Sequence, residues 1–487
     1  MSTGGNSQPT LEQTENMAET AASPSPPGIP PSDTALQDEL TAGYSEEAPL
    51  TGLTYRSVNR DIVATLAPPG KLYWLTIATL AAIFGWGMLC WLYMIFKGMG
   101  VAGITHPVNW GVFIVTFVFW VGIAHSGTLI SAVLYLFRAR WRTAVYRAAE
   151  GMTVIAVMTA GMFPLIHLGR VWRFYWLLPY PNQRSLWPNF KSPLMWDVLA
   201  VTTYLTISSV FFYVGLIPDF AAARDRATGW RHTFYRILSL GWEGRASGWN
   251  HYRKAYLLFA AIATPLVVSV HSVVSWDFAM SIVPGWHSTI FAPYFVAGAI
   301  HSGLAMVITL LIPLRAVFNV RHIITVRHLE AMAKIIIVTG LIVGYAYIVE
   351  AFVAAYSANK WEIALFKYRF FGDYAWASWI MVTCNSVIPL LFFLKRFRTS
   401  ILWLFVISIF VNIGMWFERF VIIVTSLAHD YIPYAWGLYT PTWVEISIMI
   451  GSFAWFFMLF MLFVKHLPSI SMTEVKEILP APKEDVS

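Results

Sequence analysis

From residue 72 to residue 464 the chain is written as long apolar runs separated by short clusters of Arg, Lys, Pro and Gly. The run Leu72–Phe96 contains no charged side chain and exceeds the roughly 20 residues a helix needs to cross a hydrocarbon core. Comparable runs fall at 72–96, 108–137, 144–168, 196–217, 255–276, 290–318, 331–356, 374–394, 400–427 and 442–464. Backbone amides in lipid must find partners inside their own segment, so these runs predict helices rather than open strands. The expected fold is an all-α membrane protein of about ten transmembrane helices.

Composition sharpens this picture. Hydrophobic residues make up 57% of the 487 and charged residues 12%, about half the share found in ordinary soluble domains. A surface so poor in charge belongs in lipid. Cys90 and Cys384 both fall inside apolar runs, and neither belongs to a spacing that holds zinc, an iron–sulfur cluster or covalent haem. The chain is therefore expected to bind no metal and no haem of its own. Residues 1–54 are polar, rich in Ser, Thr, Pro and Glu, and lack the apolar area that offsets ordering entropy, so they predict a disordered tail. They also lack the pattern of a cleavable signal peptide. Residues 466–487 form a second polar tail.

Charge sets the expected orientation. Basic residues cluster after the even-numbered spans, at Arg138, Arg140, Arg142 and Arg147, between Arg224 and Lys254, at Arg315, Arg321 and Arg327, and at Lys395, Arg396 and Arg398. Basic loops stay in the cytoplasm, which predicts both termini inside and a multi-pass protein of the plasma membrane. The net charge of +7 expresses this bias and gives no sign of nucleic-acid binding.

An internal repeat is visible. His125-Ser126-Gly127 in span two leads through a basic turn to Glu150-Gly151-Met152, and His301-Ser302-Gly303 in span six leads through another to Glu330-Ala331-Met332. Ser275-Trp276-Asp277-Phe278 at the end of span five resembles Trp416-Phe417-Glu418-Arg419 in span nine. Four spans separate the copies, so both run in one direction. This predicts two parallel-repeat four-helix bundles, about 108–276 and about 290–427, within a membrane domain at 55–465, with spans one and ten as outer helices.

Ionisable groups inside membrane helices cost on the order of 2.5–3.5 kcal/mol each near the centre, so each requires a reason. Alternating direction places His167 and Arg170 at the outer end of span three, Asp197 at the outer start of span four, and His271 with Asp277 at the outer end of span five. An imidazole and carboxyls at one depth, framed by Trp172, Trp176, Trp196, Trp276 and Trp286, have the parts for handling a quinol. Its ring is apolar on both faces, and each hydroxyl needs an acceptor for the proton it loses as electrons leave. The tryptophans also suit an interfacial belt, and Arg170 with Arg173 also suits a helix-end anchor. A second set, His125, Arg138 and Glu150 in the first copy and His301, Glu330, Glu350, Glu418 and Arg419 in the second, is expected at mid-membrane or towards the inner half. It offers either a proton path from the cytoplasm or polar pairs that set helix register.

The run Gly161-Met162-Phe163-Pro164-Leu165-Ile166-His167-Leu168-Gly169-Arg170, the run Ser275-Trp276-Asp277-Phe278-Ala279-Met280 and the segment Pro284-Gly285-Trp286-His287 resemble the NrfD/PsrC-type membrane subunits of bacterial respiratory complexes over residues 55–465. Within that family the chain is similar to the membrane subunits of alternative complex III. The resemblance implies oxidation of menaquinol near the outer face, with His167, Asp197 and Asp277 as the acid–base residues and Arg170, His271 and Trp276 beside them. It also implies partners: an iron–sulfur protein, multihaem and monohaem cytochromes c, and a second NrfD-like membrane protein. The membrane anchor of a polysulfide or nitrite reductase working with quinone shares the fold. A secondary transporter is a rival from another class, though the copies lack matched Gly/Pro-broken short helices.

Overall fold

The computed structural model describes residues 54–178, 193–477 and 479. Among them ten helices are long and apolar enough to cross a bilayer: Lys71–Lys97, Val112–Leu136, Tyr146–His167, Met195–Arg224, Ala246–Ala279, Phe291–Val317, Val326–Tyr356, Ala375–Phe393, Ile401–Ala428 and Trp443–His466. These are spans one to ten, and the all-α expectation holds. The tail expected to be disordered falls, but for Thr54, outside the described residues. Spans four and five run well beyond their apolar runs, to Arg224 and back to Ala246. Apolar length marks only the part of a helix that lipid demands, and nothing obliges the helix to stop where water begins.

Among the described residues, shorter helices outside the spans include α1 (Tyr55–Thr65), α2 (Trp230–Leu238), α3 (Lys360–Phe371) and α4 (Met472–Glu477). None has the length of a span, so a reading tuned to membrane runs passes over them. Their local signals are nonetheless ordinary. Thr54 caps α1 by accepting from the Ser57 amide at 3.2 Å while the Ser57 hydroxyl accepts from the Thr54 amide at 2.9 Å. Asn359 caps α3 by accepting from the Trp361 amide at 3.0 Å.

Spans two to five form a ring in which two packs on three, three on four, four on five, and five closes back on two. Spans six to nine repeat that ring in the same order. The rings meet along spans two and six, with span five against six and span nine against two. Exchanging the copies exchanges those last two contacts, which is the relation expected of parallel repeats. Spans one and ten pair with each other, and span ten leans on spans three and two. Small residues allow the central crossing. A Cβ on Gly303 would fall on the Ser126 side chain and within 2.8 Å of the Ile123 carbonyl, and one on Gly122 would touch Ser302 at 3.6 Å.

With an even number of crossings, α1 and α4 share one face of the bundle, called here the terminal face, and the connections after odd-numbered spans share the far face. The far face is tied together by Glu445. Its carboxylate accepts from the Gly103 amide at 2.7 Å and from the Tyr439 hydroxyl at 2.6 Å, and that hydroxyl accepts from the Val112 amide at 3.0 Å. Single π-helical turns interrupt span two at Leu129–Val133, span eight at Thr383–Val387 and span nine at Val421–Thr425, close to the polar groups described next.

Candidate functional site

Asp197 lies just past the first turn of span four, beyond the unpaired amides that would favour an anionic group. Asp277 lies in the last turn of span five, where the dipole opposes one. Helix stability therefore accounts for neither carboxyl. The two are close enough for each to feel the other's charge, and each keeps a buried Oδ1 with no hydrogen-bond partner. Trp196 and Trp276, their immediate neighbours in sequence, meet edge to face at 5.9 Å between ring centroids. His167 closes span three on the same face, half-buried, its Nδ1 buried and without a partner. Among the described residues no direct contact joins His167 to the aspartates. Arg170 is exposed just past that helix end. Trp172 is likewise exposed, and the side chain of Trp176 lies outside what is described.

The structure places His271 away from this group. Its ring is fully buried, with both nitrogens unpartnered, and stands 4.5 Å from the ring of His125 in the middle of span two. Six residues, about 9 Å of helix, separate His271 from Asp277, so it sits below the mouth rather than in it. His125 donates from Nδ1 to the Val121 carbonyl at 2.6 Å, which leaves Nε2 as the acceptor in the neutral ring. Tyr204 stacks on His125 at 5.1 Å and shares a 2.8 Å hydrogen bond with Thr128. Polar groups thus descend from the aspartates through two imidazoles and a phenol.

At the terminal face Glu150 is buried and held by Arg147 at 3.0 Å and by the Tyr256 hydroxyl at 3.2 Å. Arg138 is exposed in the turn after span two, and Glu330 pairs at the surface with Arg398 at 2.9 Å and Lys334 at 3.5 Å. These two do not join a buried line. In the second copy His301 donates from Nδ1 to the Thr339 hydroxyl at 3.0 Å. Glu418 is fully buried, paired with Arg419 and bonded to the Tyr347 hydroxyl, which also accepts from Asn385 at 2.9 Å. Arg419 stacks over Phe295 at 4.5 Å and lies near enough to both His125 and His271 to act on them electrostatically. Glu350 departs from the expected inner placement. It sits less than two turns from the far end of span seven and shares a small cavity with Arg369 of α3, Tyr294 and Ser378.

Several polar residues escaped the sequence reading. Arg147 and Asp219 form one buried cluster with Glu150, at 3.0 and 3.3 Å. The i,i+3 spacing of Arg147 and Glu150 was an available signal, and Asp219 lies two residues past the predicted end of span four. Arg369 and Asn385 are buried too, and their partners, Thr425 and Ser426 for the first and Tyr347 for the second, come from distant spans that local spacing does not reveal. The Pro284-Gly285-Trp286 segment has a structural task. The Trp286 indole donates to the Ile422 carbonyl at 2.6 Å and the Gly285 amide to Glu362 at 3.0 Å, joining the connection after span five to the second bundle.

Residues 100–429 match the family model described as polysulphide reductase, NrfD. A putative membrane component of dimethyl sulfoxide reductase from Halobacterium salinarum is 25% identical over 85% of this chain and 94% of its own length. An Hdr-like menaquinol oxidoreductase integral membrane subunit from Archaeoglobus fulgidus is 21% identical over 84% and 96%. A component of selenate reductase from Mesobacillus selenatarsenatis is 22% identical over 49% and 56%.

Proposed function

Because the chain belongs to the NrfD family of membrane subunits of reductase and oxidoreductase complexes, we propose that it oxidises menaquinol at its far face and passes the electrons to redox subunits bound there. The observation that carries this reading is that Asp197 and Asp277, on adjacent spans, lie within electrostatic reach of each other and each keeps a buried oxygen without a partner. A quinol hydroxyl donates to one of them, while the half-buried His167 is the acceptor for the second hydroxyl. Trp196 and Trp276 flank the ring. Loss of two electrons releases two protons, and these three groups are the acceptors that take them.

In this reading the far face is the extracytoplasmic one and both termini are cytoplasmic, which the basic turns of the terminal face support. The partners are an iron–sulfur protein, cytochromes c and a second NrfD-like membrane protein, as in alternative complex III. The cofactors carry the electrons, and this chain supplies binding, orientation and proton acceptors. The line His271, His125 and Tyr204 gives protons a direction, and Arg419 brings Glu418 and the second bundle within its electrostatic reach.

A second reading keeps the same site and changes the acceptor. Two of the relatives are named as components of dimethyl sulfoxide and selenate reductases, which supports delivery of quinol electrons to a terminal reductase. Haem absorbance in the purified native complex favours the first reading, and a molybdenum-containing partner the second. Both rest on the aspartates. Asp197→Asn, Asp277→Asn and His167→Gln should each lower quinol-dependent reduction of the partner subunits on the order of a hundredfold, with assembly intact. Unchanged turnover in all three would remove the assignment.

A further inference from the structure

Beyond span ten the chain does not trail into solvent. The Tyr235 hydroxyl donates to the His466 carbonyl at 2.8 Å, the chain turns, and Ser469, Ser471, Met472, Glu474 and Val475 are all buried. Ile470, Met472 and Val475 join the apolar core of the bundle, and polar partners account for the buried residues between them. Helix α4 packs against α1, span four and the turn at 140–144. Glu474 forms an ion pair with Arg142 at 2.7 Å, both side chains about 6% exposed. The Arg142 guanidinium also lies over the rings of Tyr135 at 4.7 Å and Tyr146 at 4.9 Å. Asp219 accepts from the Met472 amide at 3.1 Å through Oδ1, while its Oδ2 pairs with Arg147 at 3.3 Å. Arg147 in turn holds Glu150. A series of polar contacts thus leads from the C-terminal segment through Asp219 and Arg147 to Glu150.

We propose that residues 469–477 are a removable plug, which closes the terminal end of the first bundle over Glu150 and gates its access to water. The attachment is short and local. Its anchors are the apolar side chains of Ile470, Met472 and Val475, one ion pair and the contacts to Asp219, whereas each span is held by a whole apolar face, so the segment can lift without unfolding the bundle. Glu474 is the tail's own contribution to the cluster. Lifting it leaves Arg142 and Asp219 facing water and opens the way to Arg147 and Glu150. This inference concerns the terminal face alone, so it survives or fails independently of the quinol site.

Thiol labelling in the native membrane complex tests it, with a membrane-impermeant maleimide applied from the terminal side. Two reporters are used, Ser471→Cys on the plug and Thr143→Cys in the turn it packs against, each with and without Glu474→Gln. The chain's own Cys90 and Cys384 are buried and set the background. Both reporters should label slowly in the otherwise unaltered chain and about tenfold or more faster with Glu474→Gln, since removing one member of a buried ion pair strands the other. Hydrogen exchange on the unsubstituted chain is the second measurement: amides of residues 469–477 should be protected, though less than those of the spans. Reporters that label at the rate of a free thiol, rates untouched by Glu474→Gln, or exchange in 469–477 at the rate of an unstructured peptide would each overturn the plug.

Discussion

At the scale of single residues the sequence announces which side chains are costly but not which of them meet. Asp197 and Asp277 are legible because a carboxyl near a membrane helix end is conspicuous, and the structure brings them together. His271 is equally conspicuous and goes elsewhere, to His125, because helix rotation and a six-residue step decide its neighbours. Gly285 shows the same limit from another side. Its φ of +73° favours glycine, and a Cβ there would strike Leu365 and approach the Arg369 guanidinium to 2.8 Å. Leu365 and Arg369 are themselves buried and cannot give way freely. Gly285→Ala should therefore cost about 1–3 kcal/mol, seen as a lower melting temperature of the purified complex. A variant melting like the unaltered protein would mean that the Gly-Trp pair is kept for something other than this joint.

At the scale of elements the ten spans are legible in number and place, because hydrocarbon thickness imposes a minimum length on all of them. The short helices are not, since α1 to α4 answer to caps and local packing. The repeated His-Ser-Gly motif is legible as a repeat but not as a mechanism. Its glycines bring helices close: Gly127 lies on the Ala149 carbonyl of span three, and Gly303 on Ser126 and the Ile123 carbonyl of span two. Backbone atoms do not step aside, so Gly303→Ala must separate spans two and six along the seam between the bundles. Overpacking of this kind costs about 1–3 kcal/mol. The melting temperature should fall, and quinol turnover should fall with it, because span two carries His125. Full stability in Gly303→Ala would show that the seam is looser than the contact distances require.

At the scale of the whole molecule the two bundles share a plan and differ in chemistry. Where the first has two carboxyls and a terminal histidine at its far end, the second has a single carboxyl, Glu350, beside Tyr347, Ser378 and an arginine brought in by α3. In the proposed function the redox substrate belongs to the first copy, and the second supports it. Photolabelling with an azido-menaquinone analogue, followed by peptide mapping, tests that division most directly. Label should enter spans three, four and five around His167, Asp197 and Asp277, and excess unmodified quinol should displace it. Displaceable label confined to spans six to nine would contradict the account.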